Sequence, residues 1–135
     1  MIYQRREDIP TYLASGRERL EHLADFLDDR EPDSLTLGFW YEQGKGCAVG
    51  LAAARSPWIQ AQGLRLKSTD SLKNCHPVYS RATDWGAISA FFEISTLQAR
   101  QLFHQTGYGG ELRPQPARIA RKVRHMLAAT ERVSA

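Results

Sequence analysis

The sequence predicts a mainly α, compact single domain of about five helices, with room for a short β-hairpin or extended segment in residues 35–42 and 62–80. Three observations carry that expectation. Apolar residues recur at helical spacing along several stretches, and no series of Val/Ile-rich segments follows that would build a parallel sheet. The chain has 135 residues and 42% hydrophobic content, which fills one core and not two, so one domain is expected over residues 1–135. Its ordered core is expected at about residues 9–128.

Each element has its own local signal. From Arg17 to Asp29, Leu20, Leu23, Ala24 and Leu27 repeat at i, i+3, i+4 and i+7, and Glu21, Asp25 and Asp28 hold the opposite side of this amphipathic helix. Pro32 in a polar cluster ends it. SLTLGFWYE (34–42) reads as one strand or an extended aromatic segment. Behind Gly44 and Gly46, CAVGLAAAR (47–55) reads as a helix limited by Pro57; its Ala48, Gly50, Ala52 and Ala53 admit close neighbours and place it centrally. Residues 62–82 are the least regular part. Asp84 is expected to cap a helix that turns Trp85, Ile88, Phe91 and Phe92 inward. Ser95 and Gln98 form the capping box of the next helix, which buries Ala99, Leu102 and Phe103 and has Gly107 as its C′ residue. Pro116 opens a last helix, where Ile119, Ala120, Val123, Met126 and Leu127 make an apolar arc opposite Arg118, Arg121, Lys122 and His125.

Composition narrows the function classes. Residues 1–67 carry nine Lys/Arg against ten Asp/Glu, whereas residues 68–135 carry nine against five, so the net charge of +3 is concentrated in the C-terminal half. An anionic partner is compatible with that asymmetry. The opening MIYQRREDIP is charged at once and no apolar run approaches the roughly 20 residues of a membrane span, so a cytoplasmic protein with no membrane partner is expected. Cys47 and Cys75 form no CxxC pair and are expected as free thiols, without metal or cofactor.

Five constellations bear on chemistry. Cys47 at a helix start with His76 as base, oriented by Asn74 or Asp84, would make a thiol hydrolase; the plainer expectation is a small buried side chain at a helix contact. Gly38 and Gly44-Lys45 fail as a phosphate loop, because five residues separate the glycines and Gly46 stands where a Ser/Thr is required. Gly44-x-Gly46-x-x-x-Gly50 with Asp70 is a loose dinucleotide pattern better explained by tight turns. The two helices at 84–93 and 96–105 are joined by almost nothing, as in a helix-turn-helix, and the second offers Gln98, Arg100 and Gln101 to bases while the Arg118/Arg121/Lys122/His125 stripe could hold phosphates. Finally, Phe39, Trp40, Tyr41, Trp58, Tyr79 and Tyr108 either close the core or form a protein-binding face around Trp40, Tyr41 and Trp58.

In order, RLEHLADFL (19–27), TLGFWYE, GCAVGLAA (46–53), QGLRL (62–66), PVYS (77–80), WGAISAFFEIS (85–95), QARQLF (98–103) and YGG (108–110) resemble a family of small uncharacterised proteins of bacteria and their phages. That resemblance spans most of residues 17–128 and implies a compact, largely helical domain; it implies no activity. The chain departs from the family pattern at Gly44-Lys45-Gly46, where a small or thiol residue is usual, and at Glu93, where glycine is usual. Small phage-associated proteins of this size often work by docking onto host or defence machinery, and a docking role is expected on that analogy alone. The expectation is therefore a non-enzymatic accessory protein that binds a protein partner through Trp40, Tyr41 and Trp58 or through Arg118, Arg121, Lys122 and His125. Two alternatives stay open: a DNA-binding regulator using Gln98, Arg100 and Gln101, and a hydrolase using Cys47 and His76.

Overall fold

The structure, a computed structural model, describes residues 12–68 and 75–134, with side chains through residue 130. Residues 9–11 of the expected core, Asp70 and Asn74 lie outside the described residues. Six helices are described: α1 (Gly16–Asp28), α2 (Ala48–Arg55), α3 (Pro57–Ala61), α4 (Asp84–Phe92), α5 (Thr96–Phe103) and α6 (Pro116–Ser134). Beside them stand five strands: β1 (Tyr41–Glu42), β2 (Lys45–Gly46), β3 (Arg65–Ser68), β4 (Cys75–Tyr79) and β5 (Ala82–Thr83). The strands form one antiparallel sheet of order β2-β1-β4-β3, with β5 also paired to β4. This mixed α/β domain overturns the expectation of a mainly α fold of about five helices. The reason is length: three strands have two residues each, too few for a period-2 signature, and β4 carries Pro77 at its middle. In the segment 35–42 only Tyr41–Glu42 joins the sheet, while Leu35 makes an isolated parallel bridge to Gly46. The expected hairpin within 62–80 is β3 against β4, with Arg65 opposite Val78 and Ser68 opposite Cys75.

Local chemistry starts most helices. Ser15 caps α1 with a full capping box, its Oγ accepting from Glu18 N at 3.1 Å while Glu18 Oε1 accepts from Ser15 N. Pro57 both limits α2 and opens α3, whose cap is Ser56. Ser95 and Gln98 make the expected capping box of α5. Asp84 is not the cap of α4; Thr83 holds that position, and Asp84 is a first-turn residue with φ +54°. Gly107 is likewise no C′ residue, since α5 ends at His104 and Gly107 lies in a 3₁₀ turn, Gln105–Tyr108.

The core forms where α1 meets α2, α3, α4 and α6 and where α2 packs on the sheet. Leu20, Leu23, Ala24 and Leu27 of α1, Val49 and Leu51 of α2, Ile88, Phe91 and Phe92 of α4, and Ile119, Ala120 and Val123 of α6 are buried, as their periodicity requires. Gly50 is fixed by space: a Cβ there would sit 1.9 Å from the Trp40 carbonyl oxygen, so the small-residue helix does lie against backbone. Glu93 ends α4 in the left-handed region, φ +56°, where its Oε1 accepts from Gly16 N at 3.1 Å at the start of α1. That bond places a negative charge at a helix N-terminus and offsets backbone strain of about 1–3 kcal/mol.

One side chain ties these layers together. Arg19 is 3% exposed, the only buried charged residue among those described. Its Nε donates to Gln62 Oε1 at 3.1 Å and its Nη1 to the Phe91 carbonyl at 2.9 Å, while the guanidinium lies 4.4 Å from the Phe91 ring centre. Gln62, also buried, accepts from Ala14 N at 2.7 Å and donates to the Tyr12 carbonyl at 2.9 Å. The segment before α1, α1 itself, the end of α3 and α4 thus meet at one polar knot.

On the outer side of α1, His22 stacks on Trp58 at 3.6 Å with an interplanar angle of 6°. Burial there holds the imidazole below its ordinary pKa of 6.5, against the pull of Asp25, Glu18 and Glu21. Where α6 meets α1, Arg124 Nη2 reaches Asp28 Oδ2 at 2.6 Å and Asp25 Oδ1 at 2.8 Å, and the Arg124 bond holds the Asp28 carboxyl below the usual carboxylate value. Both groups bind protons more weakly folded than unfolded, so both stabilise the fold at neutral pH and lose that contribution as pH falls through their folded values. The urea midpoint should therefore fall as pH drops below about 6.5, the unfolded His value, with a second loss below about 4. In His22→Phe the first decline should flatten while the second persists; an unchanged profile would remove His22 from this account.

Candidate functional site

Helix α6 has two working sides. Its apolar arc, Ile119, Ala120, Val123 and Leu127, is buried, with Met126 partly so, and this side meets α1. The other side brings together four residues that the sequence placed on one stripe. Arg118, Arg121, Lys122 and His125 line a hollow of about 460 Å³ whose remaining edge is Gly107 and Tyr108 of the 3₁₀ turn. Tyr108 is buried and its Oη donates to the Leu102 carbonyl at 2.6 Å, so the ring is fixed from below. Burial raises the phenol pKa, against the nearby Arg118 charge, and keeps it a neutral donor.

The cations are not equivalent. Lys122 Nζ donates to the carbonyls of Gln101 at 2.7 Å and Gly107 at 2.6 Å, and lies 4.5 Å from the Tyr108 ring centre. It serves the ends of α5 and the turn as a C-terminal cap made from another helix. Burial, then the Arg118 charge, lowers its pKa. Gly107 makes the approach feasible, because a Cβ would fall 1.9 Å from the Gln101 carbonyl oxygen and 2.9 Å from Lys122 Nζ. Arg118 lies 5.3 Å from the same ring and pairs with Glu111 Oε1 at 2.7 Å, with both partners about half exposed. Arg121 and His125 are exposed, and among the described residues no hydrogen bond or ion pair engages either head group. The hollow thus offers one anchored ammonium, one half-neutralised guanidinium, one open guanidinium and one imidazole against an aromatic floor. Such a set receives carboxylates or phosphates, and the guanidinium forks favour planar, bidentate acceptors.

The other predicted residues are dispersed. Cys47 is 3% exposed and is the N-cap of α2, its Sγ accepting from Gly50 N at 3.3 Å. Burial pushes its thiol up to about 11, the opposite of an activated thiolate. His76 on β4 turns Nδ1 to Asp84 Oδ1 at 3.1 Å, forming a His–Asp pair that does not engage Cys47. Trp40, Tyr41 and Trp58 are partly buried against the core: Trp40 packs edge-on to Trp85 with centres 5.0 Å apart, and Trp58 covers His22. Gln98 spends its side chain on the capping box, which the expected contact with bases would break. Arg100 lies over Trp85 at 5.3 Å, while Gln101 is exposed and lends its carbonyl to Lys122. Sequence reasoning missed Glu111, Gly107 and Tyr108 as parts of the hollow; YGG marked the turn, and nothing local marked its alignment with α6.

Comparison of the chain with protein-family models, with curated proteins and with solved structures finds no match. No described helix is long and apolar enough to cross a membrane. Among the described residues no three His, Cys, Asp or Glu gather as a metal site.

The thiol geometry gives a direct expectation. Under native conditions near pH 8 a soluble disulfide reagent should modify the partly exposed Cys75 and leave Cys47 intact, and denaturant should release Cys47 for reaction. A Cys75→Ser variant that reacts within seconds while folded would contradict the capping role of Cys47.

Proposed function

We propose that the protein is a cytoplasmic, non-enzymatic docking protein that captures an acidic segment of a protein partner in the cationic hollow on α6. The observation that carries this reading is the convergence of Arg118, Arg121, Lys122 and His125 on one hollow floored by Tyr108. Charge surroundings favour a short acidic segment over a duplex. Double-stranded DNA presents a charge about every 1.7 Å and needs an extended basic track. Here α6 packs along α1, whose exposed Glu21 and Asp25 stand beside Arg124, so positive surface gives way to negative within one helix width. A nucleic-acid reading retains one favourable feature, the exposed Gln101 next to Lys122, but the engagement of Gln98 and Arg100 weighs against base reading. The buried, unactivated Cys47 weighs against a Cys47/His76 hydrolase in the same way.

A partner retained from cell lysate at low salt should elute steeply as salt rises, since half-exposed charges within a Debye length of about 10 Å dominate the contact. Arg121→Glu should weaken retention about tenfold or more and leave the circular dichroism unchanged, because Arg121 is exposed and none of the described residues bonds its head group; Lys45→Glu, at an exposed position on β2, should change little. Equal loss for both variants, or selective retention of duplex DNA with the wild-type dependence on Arg121, would contradict capture of a protein segment.

A further inference from the structure

One cation of the hollow already holds a carboxylate. Among the described residues Glu111 is the only acid bonded to any of Arg118, Arg121, Lys122 and His125; its Oε1 accepts from Arg118 Nη1 at 2.7 Å. Resting on the docking function proposed above, we propose that Glu111 is a built-in competitor for that site. Its carboxylate occupies the Arg118 position in the free protein, and a carboxylate of the partner segment displaces it.

Three observations support exchange at this position. The first is where the guanidinium sits. Arg118 lines the hollow together with Arg121, Lys122 and His125 and lies 5.3 Å from the Tyr108 ring centre, so an acid bound to it competes for the surface that a partner's acids would use. The second is how lightly Glu111 is held. It accepts one hydrogen bond from the guanidinium, whereas Arg124 makes two to Asp28 and a third to Asp25. A single-point pair with both partners half exposed is worth a factor of about two to five, and a carboxylate that engages the fork with both oxygens exceeds it. The third is the backbone. Gly109 and Gly110, at φ +65° and +86°, turn the chain back after Tyr108. Gly110 N then donates to the Gln105 carbonyl at 2.9 Å, Glu111 N to the Tyr108 carbonyl at 3.1 Å, and Leu37 N to the Leu112 carbonyl at 2.7 Å. The main chain is fixed on both sides of the Glu111 side chain, so a side-chain rotation alone releases Arg118. The competitor also filters ligands: a lone carboxylate exchanges one pair for a similar one, while a run of acids gains the open Arg121 as well.

Titration of the full chain at low salt with a fluorescein-labelled hexaglutamate peptide, read by anisotropy, tests the exchange. Glu111→Ala should tighten binding about threefold, the scale of an exposed ion pair removed from competition. The variant keeps its fold, because the main-chain bonds around position 111 do not use the side chain. In an Arg118→Met background the same substitution should leave the affinity unchanged, since no guanidinium remains there to be released. A gain that persists without Arg118 is a long-range charge effect and overturns the competitor, as does unchanged or weaker binding in Glu111→Ala. If binding ignores Glu111→Ala yet is lost in Arg121→Glu, the hollow still captures acids and only the competitor fails. Absence of peptide binding in both the wild-type chain and Glu111→Ala overturns acid capture, and the competitor with it.

Discussion

A guanidinium removed from water is the constraint around which this domain is built. A buried unpaired charge costs several kcal/mol, and among the described residues no carboxylate meets Arg19; its compensation is one amide oxygen, one helix-end carbonyl, the Tyr79 hydroxyl at 3.4 Å and two aromatic faces. Those acceptors come from separate elements, Gln62 after α3 and Phe91 near the end of α4, so the charge is satisfied only when α1, α3 and α4 are docked together. Hydrogen bonds to a charged group are worth about 1.5–3 kcal/mol each, whereas a generic apolar contact is tolerant of sliding. Directional bonds convert a greasy interface into a fixed one. Gln62 extends the knot to the chain before α1, and the Glu93 bond to Gly16 ties α4 to the same helix end.

The functional side of α6 depends on that docking at one remove. With α1 fixed, the apolar arc of α6 and the Arg124 pairs to Asp25 and Asp28 set its rotation, and the rotation determines which residues face away. Arg118, Arg121, Lys122 and His125 are the remainder. Lys122 then reads the position of α5 by holding the carbonyls of Gln101 and Gly107, so the edge of the hollow is tied to the end of α5. A charged stripe that elsewhere would be a solvated face acquires shape because a second element closes one edge. The same division of labour separates Lys122, a structural cation, from Arg121, whose exposed head group none of the described residues bonds.

Helix positions, the central small-residue helix and the Ser95–Gln98 capping box were legible because each is written within one turn of chain. The Ser15–Glu18 capping box carries the same local signature, and it starts α1 at Gly16, one residue before the expected Arg17. Burial of Arg19 could not be read in this way: arginine on an amphipathic stripe signals surface, and its acceptors lie 43 and 72 positions away. The sheet failed for a related reason, since pairs such as Tyr41 with Cys75 are long-range and its strands are too short to announce themselves. For the site, the cationic stripe was visible from spacing alone. Its aromatic floor was not, because Tyr108 meets α6 only through the fold. Glu93 marks the middle case: its departure from glycine was noticed, while its bond to Gly16 needed three-dimensional proximity.

A double-mutant cycle between Arg19 and Gln62, with unfolding followed in urea, addresses the founding interaction most directly. Arg19→Met and Gln62→Leu replace the two groups with apolar side chains of comparable reach, singly and together. The account predicts that Gln62→Leu leaves the buried Arg19 Nε without its acceptor, that Arg19→Met takes the charged donor from Gln62 Oε1 while the Ala14 bond remains, and that the double variant is more stable than the sum of the two losses by about 1.5 kcal/mol or more. Additivity within about 0.5 kcal/mol would mean the two side chains act independently, and the polar knot would lose its place as the organiser of the fold.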